Sequence, residues 1–397
     1  MTDAATSRRP RLLAVASHPI QYHAPLFRAL AASGEVDLTV LFIEMPDAHE
    51  QGRGFGIAFE WDVPLLEGYR WGLAAGVKKR AAAGFFARQL NAPRALLRHH
   101  APDAVLLTGW HTWPLVQLAL AAKALGLPVM MRAEANALRR RPWPVRLAHR
   151  MLLGCCRTFL PIGRASRDFY LGYGIAPLRL FDAPYFVDNA RFAHAAAEAE
   201  ANRTQWRERW AIPRDAVCFC YAGKLEPKKR ILDVLAALAV ATRSTRVPLH
   251  LLVVGTGELM AAARAFASAQ SLPVTFAGFL NQSEIPAAYA ASDCLVLASD
   301  FGETWGLVVN EAMACGRPAI VSDRVGCMPD LVTRGVTGEV FPFGDVAALA
   351  ACMSRLAQEG RLAEMGGAAC RRVMRDYSVE RSARAVVAAT RSIVGAA

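Results

Sequence analysis

At 397 residues, 54% hydrophobic and 20% charged, the chain is too long for one ordinary core and too apolar for disorder, and it suits two domains. A net charge of +12, roughly three quarters of it carried before residue 190, points either to an anionic partner or to nothing more than a basic solvated surface. No apolar run reaches bilayer length, because the best, 115–131, is broken by Lys123 and Pro128.

The first apolar run, RLLAVAS (11–17), follows several arginines but is too short for a secretory h-region and reads as a strand. VDLTVLFIE (36–44), DAVLLTG (103–109), VMMRAE (129–134) and TFLPIG (158–163) read as further buried strands, with helical patterns such as WPLVQLALAAKALG (113–126) between them. The second half repeats the rhythm with VCFCYAG (217–223), LHLLVVG (249–255), VTFAGF (274–279), CLVLASD (294–300) and AIVSD (319–323). Nearly continuous apolar strands alternating with helices predict α/β architecture: two doubly wound, Rossmann-like parallel sheets. The expected domains are 1–188 and 216–377, joined by a polar linker over 189–215, with a helix over 378–397 packing back on the first domain. The nine cysteines form no C-x-x-C pair and read as buried free thiols, which fits a reducing cytoplasm.

In such folds ligands sit at the carboxyl ends of the strands. The loop after the strand ending at Gly223 carries Lys224, Lys228, Lys229 and Arg230. Cations between a strand end and a helix start make an anion site, or simply a solvated basic turn. VVGTGEL (253–259) is a lone G-x-G without the rest of a dinucleotide fingerprint, which argues against a dehydrogenase, and no Walker A loop is present. FGETWGLVVNEAMACGRP (301–318) places Glu303 in a loop and Glu311 in the helix that follows. Glycosidase carboxylates flank one bond at about 5 to 9.5 Å. Two acids split between a loop and a helix instead suit different parts of one extended ligand.

Taken in order, AGKLEPKKR, VVGTGEL, VTFAGFL, FGETWGLVVNEAMACGRPAIVSD and GVTGEVFPFGD resemble the retaining glycosyltransferases of family 4, over roughly residues 185–380. The resemblance implies the GT-B fold, two domains facing across a cleft, and a hexosyl-type, metal-independent glycosyltransferase (EC 2.4) of cell-surface polysaccharide or glycoconjugate synthesis. It implies no cofactor; a UDP- or GDP-linked sugar is the donor substrate. Glu303 then holds donor-sugar hydroxyls and Glu311 the ribose. Gly223 and the amides of Thr304, Trp305, Gly306 and Leu307 lie against sugar and diphosphate. Lys229 and Lys224 take the diphosphate, although Lys224 stands where the family usually has Arg and lacks the planar fork. Phe279 and Leu280 mark the turn that meets the nucleobase.

The first domain departs from the family pattern. After its first strand stands SHPIQYHAPLF (17–27), where His18, Gln21 and His23 are cleft or plain loop residues; a third metal ligand is not evident. The resemblance puts Glu134 in the place of the family's usual histidine, as a catalytic-site residue that contacts the transferred sugar or the acceptor and pairs with Arg132 two residues before it; His111, after another strand, is a further cleft candidate or a core or loop histidine. The expected acceptor is a saccharide or lipid-linked molecule. Trp61, Trp71, Trp110, Trp113 and Trp143 could stack on sugars or simply pack. The basic and aromatic stretches 77–90 and 138–144 suit an anionic membrane surface, which would place the protein peripherally at the inner face. Competing expectations are a nucleotide-sugar epimerase or hydrolase on the same fold, which needs no acceptor, and a nucleic-acid-binding protein, for which no base-reading motif is present.

Overall fold

The apolar runs become the middles of two parallel sheets. The computed structural model describes residues 8–81 and 84–395. The first sheet contains β1 (Arg11–Ala16), β2 (Asp37–Phe42), β3 (Trp71–Leu73), β6 (Ala104–Leu107), β7 (Val129–Met131) and β8 (Thr158–Phe159). A small antiparallel hairpin, β4 (Val77–Lys79) and β5 (Arg88–Leu90), interrupts the series. The second sheet contains β9 (Val217–Ala222), β10 (Leu249–Val254), β11 (Val274–Gly278), β12 (Cys294–Leu297), β13 (Ala319–Ser322) and β14 (Gly338–Phe341). Every residue of β6, β7, β10, β12 and β13 is buried, as helices on both faces require.

The sheet orders are β3-β2-β1-β6-β7-β8 and β11-β10-β9-β12-β13-β14. Within each, all neighbouring strands are parallel. Strand order reverses between β1 and β6 in one sheet and between β9 and β12 in the other. Those two switch points are where a doubly wound sheet opens a crevice for ligands. Each sheet has its own core, one around Leu13, Val15, Leu107 and Met131, the other around Phe219, Leu251, Val296 and Met353.

Besides the β4–β5 hairpin, two strands of the parallel sheets go beyond the sequence reading. The edge strand β3 is short and half exposed, so it carries no apolar run. In β14 the apolar pattern is masked by Glu339, which is buried and paired to Arg355 at 3.0 Å. The runs at 129–134 and 158–163 are strands only over Val129–Met131 and Thr158–Phe159.

The chain divides into two units: Met1–Pro46, Pro64–Pro184 and Val379–Ala397 in the first, Asp47–Val63 and Tyr185–Ser378 in the second. Two details differ from the expected boundaries. The stretch 189–215 contains two helices, Asn189–Ala201 and Arg203–Arg209, that are built into the second unit rather than linking it. Their arginines explain why: Arg203 and Arg207 hold Asp293 at 2.7 and 3.5 Å, so the polar composition makes specific ties. Residues 47–63, Trp61 among them, group with the second unit although they lie early in the sequence. The C-terminal helix Val379–Val394 groups with the first unit, burying Ala383, Val386, Val387 and Ile393.

All nine cysteines are free thiols, seven of them buried; burial pushes Cys218 up to about 12. Among the described residues no helix is long and apolar enough to cross a membrane.

Candidate functional site

At the second unit's switch point, two loops meet. The loop after β9 runs Gly223–Arg230, and the loop after β12 leads into the helix Leu307–Ala314. The Asp300 amide donates to the Lys228 carbonyl at 3.0 Å, pinning one loop on the other. Lys229 Nζ makes an ion pair with Glu303 Oε2, and both side chains keep less than a sixth of their surface. Ser299 Oγ donates to the same carboxylate oxygen at 3.3 Å. Burial alone would push the Glu303 carboxyl up. The Lys229 charge and hydrogen bond, with Lys228 and Ser299, outweigh it and hold the group below its ordinary value. Glu303 is therefore a fixed carboxylate at neutral pH.

Glycines set the backbone here. A Cβ on Gly255 would lie 2.0 Å from the Gly223 carbonyl, and one on Gly257 2.7 Å from that of Leu225. The G-x-G of VVGTGEL is thus a close approach that seats the lysine loop. Gly326 does the same for the glutamate loop: its Cβ would lie 1.8 Å from the Thr304 carbonyl. The Gly326 amide donates to Glu303 O at 3.1 Å and that of Cys327 to Trp305 O at 2.8 Å. This brace was missed; its only sequence signal is the glycine in VGC.

The remaining second-unit residues singled out in the sequence fall into distinct environments. Gly306, at φ +99°, starts the helix, with Leu307 as its first residue and Thr304 half-buried before it. The Trp305 side chain is buried, donating to Asn310 Oδ1 at 2.8 Å. Glu311 is 1% exposed and accepts from Tyr289 OH at 2.8 Å, the partner a buried carboxylate needs. Lys224 is half-buried; burial, opposed by Glu226 and helped by Lys228 and Lys229, lowers its pKa. Its Nζ donates to Arg53 O at 3.1 Å and lies 4.9 Å from the Phe55 ring. Phe279 and Leu280, half-buried, follow β11.

The first unit has its own cluster at its own switch point. His18 and His23 follow β1, His111 follows β6, and Arg132 and Glu134 follow β7. His18 Nδ1 is 3.0 Å from Ser17 Oγ. Burial lowers the pKa of His18, with Glu44 opposing and His111 assisting. His23 falls well below the ordinary value through burial, then Arg132, His18 and His111. His111, partly exposed, is lowered by burial and raised by Glu134. Arg132 is buried and Glu134 exposed, while Gln21 is half-buried. The loop thus holds neutral imidazoles near neutral pH, suited to hydrogen bonding with hydroxyls. Among the described residues no three His, Cys, Asp or Glu side chains are grouped as metal ligands.

Two parallel sheets that each reverse at a switch point define a doubly wound α/β protein. Residues 202–372 match the family described as Glycosyl transferases group 1. It is 35% identical over 130 residues to a GDP-mannose-dependent alpha-(1-6)-phosphatidylinositol dimannoside mannosyltransferase of Mycobacterium tuberculosis, covering 32% of each chain. It is 31% identical over 239 residues to a D-inositol 3-phosphate glycosyltransferase of Geodermatophilus obscurus, covering 56% of this chain and 50% of that one. The matches thus span about a third and half of these relatives. In fold it is similar to a glycosyltransferase from Rickettsia africae, with a TM-score of 0.74 at 14% identity over 98% of this chain and 100% of that one. HepE from Anabaena, solved in complex with UDP and glucose, gives 0.71 at 15% identity over 97% and 100%.

Proposed function

We propose that the chain is a retaining glycosyltransferase that moves a sugar from a UDP- or GDP-linked donor to a glycan or lipid-linked acceptor without a metal ion. The observation that carries the reading is the buried Lys229–Glu303 pair at the second unit's switch point, inside the region matched to the group 1 family. A cation already held by a carboxylate is oriented before the ligand arrives, which is what charge stabilisation in a transition state needs.

In this reading Glu303 holds hydroxyls of the donor sugar. Lys229, Lys224 and the amides from Thr304 to Leu307 take the negative charge that grows on the departing diphosphate. The C1–phosphate bond breaks with its electron pair on the phosphate, and the acceptor oxygen forms the new C1–O bond on the same face. The acceptor proton passes to the leaving phosphate oxygen. Glu311, backed by Tyr289, takes the ribose. Acceptor hydroxyls are recognised in the first unit by His18, His23, His111, Arg132 and Glu134.

Peripheral attachment to the inner face of a membrane is part of the proposal. The helix Trp143–Leu153 exposes Trp143 (76%), Leu147 (50%) and Met151 (64%), four residues apart and so on one face. Arg139, Arg140, Arg146 and Arg150 are exposed around that ridge, and Phe85 and Phe86 are exposed at the β4–β5 turn. Apolar anchors within a basic collar match an anionic lipid surface.

The test is thermal-shift screening against UDP- and GDP-sugars, followed by a transfer assay with and without EDTA. A donor that stabilises the protein and is consumed only with an acceptor supports the reading. Sugar release or isomerisation without an acceptor marks the hydrolase or epimerase instead, and loss of activity in EDTA removes the metal-independent mechanism.

A further inference from the structure

Residues 47–63 are placed where no sequence pattern would put them: in the second unit, against two of its ligand-facing loops. The segment is mostly exposed, yet it is fixed at both ends. Near its start, the turn GRGFG (52–56) uses Gly54 at φ +89° and Gly56 at φ +72° to aim the Arg53 carbonyl at Lys224 Nζ, 3.1 Å away. Near its end, Asn281 Nδ2 donates to Glu60 O at 2.7 Å, and the Ser283 amide and hydroxyl donate to the Asp62 carboxylate. Between the anchors Phe55 and Phe59 pack on Phe279, with ring centroids 5.1 and 4.3 Å apart, and Trp61 packs on Phe59 at 4.8 Å. All four rings stay half-buried.

The segment therefore bridges the lysine loop after β9 and the turn after β11. These ends lie two strands apart, about 10 Å at ~4.8 Å per strand, with the end of β10 between them. A cation held by a backbone carbonyl is poised to exchange it for a stronger anion. A pair of half-open aromatic rings beside it can take a flat heterocycle. Resting on the donor-site reading above, we propose that residues 47–63 form a clasp over the nucleoside end of the donor. Phe55 and Phe59 stack on the base beside Phe279, and Lys224 exchanges the Arg53 carbonyl for the diphosphate. The clasp adds a base contact to a site whose phosphate contacts lie elsewhere.

The experiment measures binding of UDP, GDP and inorganic pyrophosphate to wild-type protein and to Phe55→Ala, Phe59→Ala and the milder Phe59→Leu by titration calorimetry. The expected result is about 10-fold weaker binding of the preferred nucleoside diphosphate to each alanine variant, as for a lost aromatic–base stack, with pyrophosphate affinity unchanged. Retained pyrophosphate binding also shows that a variant is folded. Equal nucleotide affinity in wild type and variants overturns the clasp while leaving the donor site standing. If wild-type protein binds none of the three ligands, the donor-site reading fails and the clasp fails with it.

Discussion

Glu303 and Lys229 are tied to each other, so losing either leaves the other as a largely buried charge without its partner. Glu303→Ala and Lys229→Ala are each expected to lower turnover by about 100-fold, the scale of one lost charge-stabilising contact; steady-state kinetics with saturating donor checks this, and near-normal turnover in both removes the site assignment. Glu311→Ala is expected to act mainly on donor affinity, raising KM for the nucleotide sugar several-fold with a smaller change in kcat. His250 carries a pH effect unconnected with catalysis. It is buried in β10, and its Nε2 lies 3.1 Å from Thr275 Oγ1, which itself donates to the Trp210 carbonyl. His250 must therefore donate to Thr275. Burial, with Arg207 nearby, depresses its pKa from 6.5 to about 4. The unfolded chain takes up this proton first, so the contribution to stability is intact above pH 6.5 and is lost as pH falls toward 4. Denaturant unfolding between pH 7 and 4 should show a shallower loss for His250→Gln than for wild type.

Loops of the second unit hold their positions by backbone contact more than by side chains. Gly255 at φ +121° lies against Gly223, and Gly326 against Thr304. Gly255→Ala combines a disfavoured φ with overlap on a carbonyl, and should destabilise the second unit by roughly 2 kcal/mol or more in urea unfolding. It should also weaken nucleotide binding beyond that loss, because the lysine loop must move. The same reasoning shows what was legible at this level. Strands β1, β9, β10 and β12 were visible because both faces are buried and the runs are unbroken. Strand β14 was hidden by Glu339, whose cost is met by an arginine sixteen residues later. The helices in 189–215 looked like a linker because their arginines and glutamates are spent on distant partners such as Asp293 and Arg317, which no local pattern can report.

For the molecule as a whole, the charge excess lies toward the first unit, where the exposed Trp143, Leu147 and Met151 ridge also lies. Co-sedimentation with vesicles containing anionic lipid at physiological salt should pull the protein down, and neutral vesicles should not. Trp143→Ala with Met151→Ala is expected to reduce the bound fraction several-fold while nucleotide binding is kept; binding that ignores lipid charge or these residues removes the peripheral proposal. The sequence alone determined the α/β class, the two parallel sheets, the loops that bear Lys229 and Glu303 and the helix that bears Glu311. Hydrophobic periodicity and strand-end position are local properties that survive in one dimension. Tertiary structure alone decided that Glu303 is paired with Lys229 and Ser299, that Glu311 rests on Tyr289, that the G-x-G glycines seat a loop instead of a dinucleotide, and that residues 47–63 lie against Phe279. Apart from Ser299, four positions from Glu303, each depends on groups from 22 to more than 200 positions apart, or on a backbone approach of about 2 to 3 Å, and such contacts exist only after the chain has folded back on itself.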